Sequence, residues 1–140
     1  MATESTGTRK SYADIRSEAK GRFETEYYGK IRDSIADIVR EDRTNSNMGG
    51  RYESELFDTV SDAMVRIAND DAVRYIGREP DKALNFASEL LEMLSSSIIH
   101  ELADDKEIDR LEDTIMGIFD AATKRSEIIL GITTDILPRR

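Results

Sequence analysis

The chain of 140 residues contains no cysteine, which excludes structural disulfides, thiolate metal sites and cysteine nucleophiles. The absence is compatible with a reducing compartment. Long apolar runs are missing as well. None approaches the ~20 residues needed to cross a bilayer, and the opening MATESTGTRKSYADIRSE has no continuous apolar segment of the signal-peptide kind. The expectation is a cytoplasmic protein without a membrane partner.

Catalytic signatures are equally scarce. There is no P-loop, no Gly-x-Gly-x-x-Gly and no EF-hand loop. The NDDAVRYIG stretch has neither the length nor the alternating oxygen ligands of a calcium site. Glu-x-x-His pairs, which would place two metal ligands on one face of a bundle helix, do not occur. The single histidine, His100, lies in SSSIIHELADD, where no glycine elbow surrounds Ser95, Ser96 or Ser97. A lone histidine late in an amphipathic helix reads as structural or exposed. The chain is therefore read as a non-enzyme, with no catalytic residue, cofactor or metal.

What the chain does have is charge and helical period. Hydrophobic residues make up 39% and charged residues 35%, enough apolar side chains for one core in a chain of single-domain size. The net charge of −9 is unevenly spread. Residues 1–51 hold ten Lys/Arg against nine Asp/Glu, whereas residues 53–120 hold six against eighteen.

The periodicity predicts an all-α fold, an irregular bundle of four to six helices in a single domain over residues 11–137. A flexible N-terminus is expected over 1–10, a flexible loop over 43–51 (RTNSNMGG lies within it) and a basic tail over 138–140. Tyr12 to Glu41 carries one apolar stripe from Tyr12 and Ile15 through Phe23, Tyr27 and Ile31 to Val39. Gly21 and Gly29 weaken it, so one kinked helix or two shorter ones are both open.

Leu56, Phe57, Val60, Ala63, Met64 and Ile67 predict an amphipathic helix with Ser54 as N-cap. A short segment over Asp71 to Ile76 follows the break at Asn69, with Gly77 expected in the left-handed position that ends it. Pro80 fits a first helical position. From there to Leu102 runs the broadest apolar face, the expected central core helix. Asp104 or Asp105 can cap a further helix through Ile108, Leu111, Ile115, Met116, Ile118, Phe119 and Ala122, ending near Lys124 and Arg125. For residues 126–137 helix is expected, although strand is compatible with the β-branched residues there.

The acidic middle points to basic protein partners rather than to nucleic acid, because phosphates would repel it. Its candidate partner-binding carboxylates are Glu53, Glu55, Asp58, Asp62, Asp70, Asp71, Glu89, Glu92, Asp104, Asp105, Asp109 and Asp113. The bland reading of the same residues is a solvated surface that keeps the protein soluble. A homo-oligomeric assembly protein, using the apolar surfaces at 84–99 and 128–137, is the alternative.

ELFDTVSDA, Glu55 to Ala63, followed by ANDDAVRYI, Ala68 to Ile76, resembles a pattern in small acidic helical proteins of tailed phages, the anti-restriction DNA mimics. The matching positions are Glu55, Leu56, Phe57 and Asp58, then Ala72, Val73, Arg74, Tyr75 and Ile76, and the resemblance covers half of the chain. Four residues separate the two matched blocks, and the chain departs from the pattern in its balanced N-terminal third. The resemblance implies a stoichiometric inhibitor of a host nucleic-acid-handling or defence complex, with the carboxylates above standing in for phosphates.

Overall fold

A computed structural model describes residues 11–44 and 50–132. Among these residues the chain forms five helices and no strand. They are α1 (Tyr12–Thr44), α2 (Arg51–Ala68), α3 (Asp71–Gly77), α4 (Pro80–Leu102) and α5 (Asp105–Ile129). They pack as one all-helical body. The expectations for residues 1–10, for the centre of the 43–51 loop and for the tail at 138–140 lie outside the described residues. The loop is shorter than its composition suggested, since Arg43 and Thr44 complete α1 and Arg51 opens α2.

The apolar stripe of Tyr12 to Glu41 forms one continuous helix rather than two. It buries Phe23, Tyr27, Ile31, Ile35, Ile38 and Val39 along a single face. Gly21 and Gly29 both sit on the exposed side, where a side chain would meet nothing within 4 Å. Their cost is one of propensity alone, which a long buried stripe outweighs.

Helix α2 begins earlier than Ser54. Gly50 takes the N-cap position with φ 76°, and the Ser54 amide donates to its carbonyl at 2.9 Å. The extra turn brings Tyr52 against the core, where it is half-buried. At the other end Asn69 caps α2 and Asp70 caps α3, accepting from the amides of Ala72 and Val73.

Gly77 is the last helical residue of α3, and the left-handed position falls on Arg78, with φ 71°. The reason is tertiary. The first turn of α4 passes so close that a Cβ on Gly77 would lie 2.7 Å from the Ala83 nitrogen and 3.0 Å from its Cα. Glycine is needed here for clearance, and the backbone reversal is displaced onto the next residue.

Helices α2 and α4 form the centre. Each packs on the other, and both α1 and α5 pack on the two of them. Leu56, Val60, Met64 and Ile67 of α2 meet Leu91, Ile98 and Ile99 of α4 in the interior, with Phe23, Ile31 and Ile35 from α1 and Ile115 and Phe119 from α5. Pro80 occupies the opening turn of α4, as its missing donor allows. The apolar face at 84–99 is almost entirely spent inside the monomer: Leu84, Phe86, Leu90, Leu91, Leu94, Ile98 and Ile99 are all buried.

Helix α5 starts with a capping box. Asp104 and Glu107 exchange side-chain and backbone hydrogen bonds. The helix runs past Lys124 and Arg125 to Ile129, where Leu130 caps it and Gly131 turns left-handed at φ 73°. Residues 126–129 are thus helix, and 133–137 lie outside the described residues. No helix of the described residues is long and apolar enough to cross a membrane.

Candidate functional site: a one-sided acidic surface and its groove

The balanced charge of the N-terminal third acquires a structural role in the fold. Cations of α1 reach across to carboxylates that are remote in sequence. Arg22 holds Asp70 through two hydrogen bonds of 3.1 and 3.0 Å, and Arg16 lies 4.0 Å from Glu89. Tyr28 donates to Glu101 at 2.7 Å, with the Arg32 guanidinium 3.4 Å away. Arg43 closes the end of the bundle, donating to both Glu107 oxygens at 2.8 and 2.9 Å and to the Leu102 carbonyl at 3.1 Å.

These contacts move the acids they hold. The Arg43 hydrogen bonds, followed by the Asp104 amide, take the Glu107 carboxyl down to about 2. For Asp70, partial burial raises the carboxyl, but the Arg22 hydrogen bonds and charge together with the α3 amides outweigh it and leave it below its usual value. The Tyr28 hydroxyl, then Arg32, does the same for Glu101. Asp70 and Asp104 thus serve as helix caps, and Asp104 also lies 3.9 Å from Arg43.

Other candidate carboxylates have nearer partners. Glu55 faces Arg51 one turn before it at 3.4 Å. Asp58 accepts from Arg125 at 3.2 Å, and the same guanidinium lies over the ring of Phe57. Glu92 accepts from Ser88 at 3.3 Å. Among the described residues, Glu53, Asp62, Asp71, Asp105, Asp109 and Asp113 are exposed and form no ion pair.

The second pattern block places Val73 and Ile76 in the core and leaves Tyr75 60% exposed.

Asp105, Asp109 and Asp113 follow at one-turn spacing, and Asp120, which the sequence reading did not single out, lies on the same stripe. All four point away from the buried face of α5, which is made by Leu111, Ile115, Phe119 and Ala122. Acids facing α1 are thus held by its cations, whereas the stripe acids form no ion pair among the described residues, although Lys106 and Lys124 are exposed one turn away from Asp109 and Asp120 and Arg110 and Arg125 are spent on Asp42 and Asp58.

Beside that stripe α4 and α5 leave an open groove of about 350 Å³. Ser95, Ile99, Ile115 and Phe119 form its floor, Met93 and Met116 its lips, and Glu92 and Glu112 its rim. The two methionines are 56% and 42% exposed. The Ser95 hydroxyl is buried and has no hydrogen-bond partner. Met93 lies outside the apolar register of α4, and that is the one trace of the groove in the sequence.

His100 sits near this rim. Its Nδ1 lies 2.8 Å from the Ser96 carbonyl and 3.9 Å from Glu112. The imidazole is thereby tethered along its own helix. Among the described residues no group of three or more His, Asp or Glu side chains is placed to hold a metal ion. No family model, curated protein or solved structure matches the chain.

Proposed function

We propose that this chain is a non-enzymatic acidic interaction protein that binds a basic site on a nucleic-acid-handling or defence complex, the phage-type inhibitor that the resemblance suggests. The observation that supports it is the unpaired carboxylate stripe of α5, on the side of the bundle that the α1 cations do not reach. A solubilising charge needs no such aligned, unpaired row, since scattered acids of either pairing state serve equally well.

Magnitudes limit how far DNA mimicry extends. From Asp105 to Asp120 the helix rises by ~22 Å, a length over which duplex DNA presents about 13 phosphates. The four stripe carboxylates fall well short of that density, so a mimic would have to use the Glu92 and Glu112 rim and the outer acids of α2 and α3 as well. No turnover is expected of such a protein. The test is capture of partners from a bacterial lysate on the immobilised protein, at low and raised salt, followed by elution with duplex DNA. Screening shortens from ~8 Å at physiological salt to ~3 Å at 1 M, so the partner is released by salt and displaced by DNA. Capture that ignores both would overturn the reading.

A second reading, self-assembly, retains one specific support: Ile128 and Ile129 are 79% and 52% exposed at the end of α5. Light scattering separates the two, because a strict monomer at high concentration rules out assembly.

A further inference from the structure

We infer that the α4–α5 groove is an anchor site for a basic amphipathic helical segment, one that inserts an aromatic side chain with a polar edge, such as tryptophan, between Met93 and Met116. The inference rests on the reading of the chain as a binder of basic partners and adds where, and by what chemistry, such a partner is gripped.

Three independent features converge on this occupant. The groove volume of about 350 Å³ falls in the range of sites that enclose a ligand group, about 300–1,000 Å³. Its lips are unbranched thioethers that repack around varied apolar shapes and make favourable contacts with aromatic edges. Among its lining residues is Ser95, 1% exposed, whose hydroxyl is closed to solvent and has no partner. A buried hydroxyl left unmatched is costly, and an indole that parts the flexible Met93 and Met116 side chains to reach Ser95 would supply the missing bond.

The rim then selects the sign of the partner. Glu92 and Glu112 flank the opening, neither has a Lys or Arg within ion-pair distance among the described residues, and the unpaired stripe of Asp109, Asp113 and Asp120 runs alongside. A segment with Lys or Arg flanking the anchor is attracted. A second copy of this chain, bringing the same acidic rim, is repelled, which disfavours a symmetric dimer through this face.

The chain contains no tryptophan, so a tryptophan-bearing peptide reports its own burial. The probe is a synthetic amphipathic helix of about 18 residues with tryptophan and leucines on one face and Lys and Arg on the other. Its control is an isomer of identical composition with the tryptophan moved to the cationic face. The first peptide is expected to bind about ten-fold more tightly than its isomer, the usual weight of a central anchor, and with blue-shifted emission.

The decisive variant is Met116→Glu, at an exposed position that leaves the core untouched. It adds negative charge, so a purely electrostatic partner binds it more tightly. An anchored peptide binds it about ten-fold more weakly. Ser95→Ala, which removes the lone hydroxyl, weakens the first peptide several-fold and leaves the isomer unchanged.

Equal binding of the two peptides with unshifted emission overturns the groove assignment and leaves the acidic-surface reading standing. Failure of both peptides to bind at low salt overturns both. A wild-type dimer that Met116→Glu converts to monomer overturns the assignment in favour of a second copy as occupant.

Discussion

The same substitution, glycine to alanine, should have opposite signs at two places in this fold. At Gly77 the added methyl would lie 2.7 Å from the Ala83 nitrogen, 3.0 Å from its Cα and 3.2 Å from the Lys82 carbonyl carbon. All three are backbone atoms of the first turn of α4, so no rotamer change relieves the contact. The start of α4 has to move away from α3 by several tenths of an ångström. Overpacking of this kind costs ~1–3 kcal/mol, against a helix-propensity gain of up to ~1 kcal/mol, so Gly77→Ala is expected to lose about 1–2 kcal/mol. At Gly21 and Gly29 nothing lies within 4 Å, and only the propensity gain remains. Each should therefore stabilise by ~0.5–1 kcal/mol. Urea unfolding followed by far-ultraviolet circular dichroism reads all three, with unchanged slope and shifted midpoint. A Gly77→Ala protein as stable as the wild type would refute the close α3–α4 approach. Destabilisation by Gly21→Ala or Gly29→Ala would refute the single continuous α1.

Three further outcomes follow from the packing and the charges. Phe119, fully buried beneath the groove, should cost ~3–5 kcal/mol when replaced by alanine, read by the same urea titration. Asp70→Ala removes the α3 N-cap and frees Arg22, and should cost ~1–2 kcal/mol, largely insensitive to Arg22→Ala in a double-mutant cycle if the cap dominates. Glu107, held down to about 2 from the usual 4.5, stabilises the folded state fully above pH 4.5 and loses that contribution as pH falls toward 2. Glu107→Gln should therefore lower Tm at neutral pH, with the gap to wild type closing across that acid window. A gap that is the same at pH 7 and at the bottom of the window would show that the Arg43 contact is not the cause.

Much of this architecture was legible in the chain because it is local. The 3.6-residue stripes marked the helices, Pro80 marked where α4 begins, and Asp104 was one of the two residues able to cap α5. What escaped depends on how the helices pack against one another. Gly77 carries a residue-level signal for a left-handed turn, yet the approach of Ala83 turns it into a clearance position and hands the turn to Arg78. Ser54 is a good cap by type, but Gly50 and the burial of Tyr52 start α2 a turn sooner. Among the candidate carboxylates, nothing local separates Asp70 from Asp71, although the first is bound by Arg22 from 48 residues away and the second is exposed. The charge count likewise hid its geometry, because the near-neutral third supplies the cations that quench one side of the acidic remainder. The groove arises only where α4 and α5 meet, so Met116 read as one more core position.

These distinctions decide which charges to change. Reversing Asp70 would break a cap and an ion pair, and loss of binding could then be loss of fold. Asp62, Asp71, Asp105, Asp109 and Asp113 carry no such structural duty among the described residues. The most direct measurement is the affinity of a partner, captured by the wild type and eluted with duplex DNA, for a variant in which these five are asparagine and circular dichroism is unchanged. Binding to that variant is expected to fall steeply and its salt dependence to flatten. Undiminished, equally salt-sensitive binding would overturn the acidic-surface reading.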